Sequence, residues 1–263
     1  NDAQYHEPWM DEVKHAVFAV WPFYYEAPQR HFNAVCGLSR LLKTEDGGQN
    51  ADMVILAANS HINDGESQEY DEVNSWIIRA IDFMIGAGRR TRGVIDVEDY
   101  VRIPSQIGAY HFTPGIAENI DGDVFELEYL FDQAAENTYV PLNLSTVKVA
   151  FAVVRAPQQM IDQGETTEPT VKRAFQEWKR NNGLGGAAGM TTLTPKQDRS
   201  NGMDVLLMLG GFDLSPLLDH SWQDYEMFKE NLQMMNGEQQ RLSINDVQRI
   251  EDNLQTYQNA HKQ

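Results

Sequence analysis

Between Asp71 and Arg92, the stretch DEVNSWIIRAIDFMIGAGRRTR sets Val73, Trp76, Ile77, Ala80, Ile81, Met84 and Ile85 at i, i+3, i+4, i+7, i+8, i+11 and i+12. An α-helix gathers those positions into one continuous apolar stripe, so the spacing predicts a core helix with Trp76 and Ile81 buried. Asp71 and Glu72 suit its positive N-terminal end, and Gly86 and Gly88 supply the backbone freedom that ends it. Arg89, Arg90 and Arg92 follow at the negative end, the densest basic cluster in a chain of formal charge −18.

Helical spacing recurs over residues 10–21, 30–43, 124–136 and 167–180. Thr167-Glu-Pro makes a good helix entrance, with a capping hydroxyl and a proline in the first turn. The apolar run MVILAA within 52–62 is too short for periodicity to decide, and its helical neighbours favour helix. Residues 145–155 suit either a helix capped by Ser145 or a buried β-branched strand. Ser221 with Asp224, and Ser243 with Asp246, have the spacing of reciprocal helix caps. The predicted fold class is therefore mostly α. An irregular helical domain spans 1–182, a glycine-rich connector 183–202, and a smaller helical part 203–263, with one or two short strands near 94–112.

Charge narrows the partners. A protein of −18 is ill suited to wrapping duplex nucleic acid over its whole surface. The distribution is uneven: 1–75 holds thirteen acids against four Lys and Arg, whereas 172–199 holds six Lys and Arg against Glu177 and Asp198. Opposed charges of this kind favour head-to-tail contacts between copies. No apolar run approaches the roughly 18 residues that span a bilayer. The segment NDAQYHEPWMDEV is acidic and polar, unlike a signal peptide, and the lone Cys36 fits a reducing compartment. These features predict a cytoplasmic location, or one within a virus-like particle, without classical secretion.

Motifs for chemistry are sparse. Glu12 and His15 form one Glu-x-x-His pair where a di-iron bundle needs two, and the acids between Asp64 and Glu72 do not follow the order of a calcium loop. Gly183–Gly189 looks like a phosphate-binding loop but follows a predicted helix rather than a strand. Cys36 lies in an apolar helical pattern, which suits burial rather than reactivity. No catalytic residue, metal ligand or cofactor is predicted. What remains is a basic set, Arg89, Arg90, Arg92 and Arg102, beside Tyr100, Tyr110 and His111, which suits stacking on single-stranded bases. Lys172, Arg173, Lys179 and Arg180 form a second basic set. Either set serves equally to meet a neighbouring subunit, or to neutralise the chain's own Asp96, Glu98 and Asp99.

Tyr139-Val-Pro, Asn143-Leu-Ser and Val149-Ala-Phe together resemble a short part of the helical core of coat proteins from flexible filamentous plant viruses. The resemblance implies a helical, assembling subunit. The functional expectation is thus a non-enzymatic, self-assembling subunit of viral coat or nucleoprotein type, a homo-oligomer with single-stranded nucleic acid as a further partner and no membrane. The alternatives are an enzyme with a diffuse carboxylate or histidine site and an acidic adaptor or regulatory module.

Overall fold

The apolar runs that periodicity left undecided are strands. A computed structural model describes residues 14–42, 44–45, 48–62, 70–87, 95, 97–119, 126–196, 201–234 and 243–261. Strands β1 (Ala16–Trp21), β4 (Met53–Ala58), β5 (His111–Glu118), β6 (Val149–Ala156), β7 (Thr191–Pro195) and β8 (Asp204–Gly210) form one six-stranded sheet in the order β1-β4-β5-β8-β6-β7. The pairs β1–β4, β4–β5 and β6–β7 are parallel, and β8 runs antiparallel between β5 and β6. Strands β2 (Thr44–Glu45) and β3 (Gly48–Gln49) make a small separate ladder.

Helices cover both faces. Val54, Leu56, Ala150, Ala152, Val154, Val205, Leu207 and Leu209 point to one face. There they meet α1 (Pro28–Leu41), α5 (Leu127–Glu136), α7 (Glu168–Asn181), α8 (Ser215–Met234) and α9 (Ile244–His261). Met53, Ile55, Ala57, Val149, Phe151, Val153, Leu206 and Met208 point the other way, toward α3 (Tyr70–Ala87) and Tyr100 of α4 (Val97–Ser105). Two short helices, α2 (Asn59–Ile62) and α6 (Gln158–Asp162), and a 3-10 turn at Leu144–Thr146 complete the described elements.

The mostly-α expectation is thereby corrected to α/β. Strands buried on both faces are apolar at every position, so MVILAA, VAFAVV and VLLML carry no alternation to separate them from helix. Residues 16–21, where helical spacing predicts the end of a helix, form β1, and 94–112 holds α4 before β5 begins at His111. The core helix is real but its buried line is rotated. Val73, Ile77, Ala80, Phe83 and Ala87 face the sheet, Trp76 and Ile81 are half-buried, and Ile78 and Ile85 are exposed at 66% and 50%.

The glycine-rich span is pinned to the sheet. Ala188 bridges Val149, and a Cβ added to Gly189 would lie 1.7 Å from the Ala150 carbonyl oxygen. The chain beyond that span supplies β8, between β5 and β6, so one sheet joins both sides of it. Thr167 caps α7 by accepting from the Thr170 N–H at 3.3 Å. Ser243 and Asp246 form the expected reciprocal cap, at 2.9 and 3.2 Å. Ser221 lies inside α8, whose first turn is held by Asp213 accepting from the Ser215 N–H at 3.0 Å.

Candidate functional site

Two adjacent parallel strands send their chains to opposite faces of the sheet. After Trp21 the chain leaves β1 for α1 on one face, and after Ala58 it leaves β4 for α2 and then α3 on the other. Such a divergence opens a crevice at the carboxyl ends of the strands, where open α/β sheets place their ligands. Trp21 and Ala58 are in register, so Pro22–Glu26 and Asn59–His61 line the same end.

Aromatic rings dominate this crevice. Phe23 stacks on Tyr25 at 5.2 Å and meets Tyr70 edge-on at 5.3 Å, while Tyr24 packs on His220 at 4.9 Å. Tyr24, Tyr25 and Tyr70 are about half exposed, at 49%, 59% and 48%. Proline and the Phe23–Glu26 turn hold the loop: the Phe23 N–H donates to Glu26 at 3.0 Å, the Tyr24 N–H donates to Ser60 Oγ at 2.8 Å, and Arg30 pairs with Glu26 at 3.0 Å. Asn59 sits buried at the first position after β4. Partial burial pushes the Tyr24 phenol up by desolvation, keeping it neutral. Neutral aromatic faces at the strand end that also carries Asn59 suit a planar heterocycle, which stacks on rings and hydrogen-bonds along its edge.

Three helix starts among the described residues, those of α8, α3 and α7, offer no open phosphate cradle. The strand–glycine–helix junction after β8 has Gly210 packed against the Phe112 ring, where a Cβ would come within 2.3 Å, and Asp213 fills the start of α8. Asp71 and Glu72 occupy the first turn of α3, and Thr167 that of α7. Among the described residues no three His, Cys, Asp or Glu side chains converge as metal ligands.

The basic sets predicted from sequence are dispersed. Arg89, Arg90 and Arg92 lie outside the described residues, as do Glu12 and Asp96. Arg102 is exposed on α4 and pairs with Asp99 at 3.6 Å. Lys172, Arg173 and Arg180 are exposed along α7. Lys179 is buried instead; it donates to the Ala187 carbonyl, lies 5.7 Å from the Phe175 ring centre, and has its pKa lowered by desolvation. His111, expected to stack on bases, is buried: its Nε2 donates to the Phe212 carbonyl at 2.7 Å and its Nδ1 accepts from the Tyr257 hydroxyl at 2.8 Å.

The fold also assembles a Ser–His–Asp set that no spacing in the sequence announces. Ser221 Oγ lies 2.7 Å from His31 Nδ1, and His31 Nε2 lies 3.6 Å from Asp224. Its surroundings rule out nucleophilic work. Ser221 and His31 are fully buried, and Ser221 Oγ also accepts the Trp21 indole N–H at 2.7 Å. The set clamps β1, α1 and α8 together. The crevice itself left only one signal in the sequence, the WPFYYEAP turn, with Trp21 ahead of Pro22 and three further aromatics between Pro22 and Pro28.

No family model matches the chain, and no curated protein matches it. Among solved structures it is similar to CetZ from Methanosaeta thermophila strain DSM 6194, at 16% identity and a TM-score of 0.62, over 83% of this chain and 58% of that one. It is also similar to CetZ2 from Haloferax volcanii, solved as a GTPγS-bound protofilament, at 18% identity and a TM-score of 0.63, over 84% of this chain and 63% of that one. The chain therefore spans about three fifths of the length of these structures. The likeness establishes an α/β fold like that of CetZ and overturns the coat or nucleoprotein reading, along with the helical virus resemblance: Val149-Ala-Phe belongs to β6, inside the sheet. Among the described residues no helix is long and apolar enough to cross a membrane.

Proposed function

We propose that this chain is part of a guanine-nucleotide-dependent filament subunit, with the crevice between β1 and β4 receiving the base. The observation that carries the reading is the likeness in fold to CetZ2, solved as a GTPγS-bound protofilament. The crevice supports it independently: Tyr24, Tyr25 and Tyr70 offer ring faces, and Asn59 offers a carboxamide to a purine edge. The opposed charge of residues 1–75 and 172–199 suits head-to-tail stacking of copies, which continues as a filament where rotation does not close a ring.

Two measurements test this. Binding of a fluorescent GTP analogue is expected to fall about tenfold in Asn59→Ala, a loss of one buried hydrogen bond to the base. Sedimentation at rising protein concentration is expected to show pelletable polymer with GTPγS and less with GDP. Failure to bind the analogue, together with sedimentation indifferent to nucleotide, would remove the proposal.

A further inference from the structure

A second concavity lies on the far side of the molecule, between α7 and the margin of the sheet at β7. Glu168, Pro169, Val171, Lys172, Gln176, Gly189, Met190, Thr191 and Leu193 line an open cleft of about 420 Å³. That is within the range of ligand-binding pockets. Its floor is apolar, from Val171 and Leu193, and its upper wall is the ridge Glu168, Lys172, Gln176, spaced four residues apart along α7.

The sheet edge beside this cleft is half open. Among the described residues no strand lies beyond β7. Ala150 and Ala152 of β6 donate to the carbonyls of Ala188 and Met190 at 2.8 and 3.0 Å. Alternation along an extended chain then turns the backbone N–H and C=O groups of Gly189 and Thr191 away from β6, toward the cleft both residues line. Residues 192–194 are buried, so the open edge is confined to 189–191. Gly189 is held there by contact with Ala150, which leaves no room for a side chain. The edge is therefore pre-formed.

We propose that this cleft binds an extended peptide from another protein, which adds a short strand against Gly189–Thr191, buries one apolar side chain over Val171 and Leu193, and sets a carboxylate against Lys172. Strand addition answers the four outward backbone groups, which a compact apolar ligand would leave unpaired. The charge follows from α7: Lys172 and Arg173 are exposed and have no ion-pair partner among the described residues, whereas Glu168 lies one turn away toward the other end of the cleft. A second copy of the chain is the poorer occupant. Pairing over so short an edge buries far less than the roughly 1,200 Å² of a stable interface, while a weakly held peptide needs no more.

The test uses the full chain and fluorescence anisotropy with two labelled, end-blocked pentapeptides, one alternating valine with glutamate and the other valine with lysine. The glutamate peptide is expected to bind and the lysine peptide to bind about tenfold more weakly. Lys172→Glu is expected to reverse that preference. Thr191→Pro removes one outward N–H without touching the bonds to β6, and is expected to weaken the glutamate peptide about tenfold. Thr191→Val keeps the N–H and is expected to bind as the wild type does, and thermal melting confirms that each variant is folded. No binding of the glutamate peptide, or binding indifferent to both Lys172→Glu and Thr191→Pro, would overturn the site. Equal binding of the two peptides would overturn its charge. Sedimentation showing self-association that Thr191→Pro abolishes would make the occupant a second copy and overturn the peptide.

Discussion

Lys196 and Asp204 form an ion pair at 2.7 Å with side chains only 4% and 7% exposed, closing the chain between β7 and β8. Lys196 also donates to the Gly202 carbonyl at 3.2 Å, and Asp204 accepts the Asn119 N–H at 3.2 Å. Each charge is thus surrounded by groups that expect its partner. Lys196→Ala is expected to cost about 3–5 kcal/mol, because it strands a buried carboxylate. Lys196→Met combined with Asp204→Asn, which keeps an acceptor for Asn119 and removes both charges, is expected to recover most of that loss. Urea unfolding of the three proteins decides it, and a single change as mild as the double would mean water already reaches the pair.

The Tyr257 hydroxyl fastens α9 to the sheet. It accepts the Tyr110 N–H at 3.0 Å and donates to His111 Nδ1 at 2.8 Å. Tyr257→Phe removes both bonds and is expected to cost about 1–3 kcal/mol. Hydrogen exchange is expected to rise in α9 before it rises in β5. Exchange that rises equally throughout would show that α9 is not a separable element.

Alkaline pH is expected to destabilise the fold. Burial pushes the phenols of Tyr100, Tyr139, Tyr225 and Tyr257 well above their ordinary value. A raised folded pKa adds stability that is complete below the unfolded value, near 10, and is lost as pH rises through that value toward the folded one. Each such tyrosine contributes a slope of up to about 1.4 kcal/mol per pH unit above that point. Denaturation midpoints measured between about pH 9 and 11 check the sign, and a flat profile would contradict the burial of these rings.

Cys36 is expected to react slowly. Desolvation, with Glu251 adding to it, pushes its thiol up to about 11. At pH 8 that leaves roughly a hundredfold less thiolate than an unperturbed cysteine. Alkylation at the ordinary rate of a free thiol would show that α1 and α9 part readily at this point.

Sequence periodicity served best where one side of an element meets solvent. Helices α1, α5, α7 and α9 carry an apolar face and a polar face along their length, and each is legible near its true span. The strands β4, β6 and β8 are covered on both faces, so apart from Arg155 and Asp204 their side chains are apolar, and the period that distinguishes strand from helix is absent. The crevice was illegible for a different reason. It is assembled from the carboxyl ends of β1 and β4, and it exists because their following helices lie on opposite faces. That is a property of topology, and no local run of residues carries it. Likewise, the Ser221–His31 contact joins residues 190 positions apart, beyond the reach of spacing rules.

The central position of β8 sets the order in which this chain is able to fold. Phe112 in β5 and Val149 in β6 both face Gly210, so each waits for a strand that leaves the ribosome long after it. Until residue 210 emerges, β5 and β6 present two apolar edges with no neighbour between them, the state in which chains associate wrongly. Distant pairings of this kind close slowly because loop entropy is lost before any contact repays it. The last quarter of the sequence is therefore the keystone of the fold, and a nascent chain stalled before it has no finished sheet to fall back on.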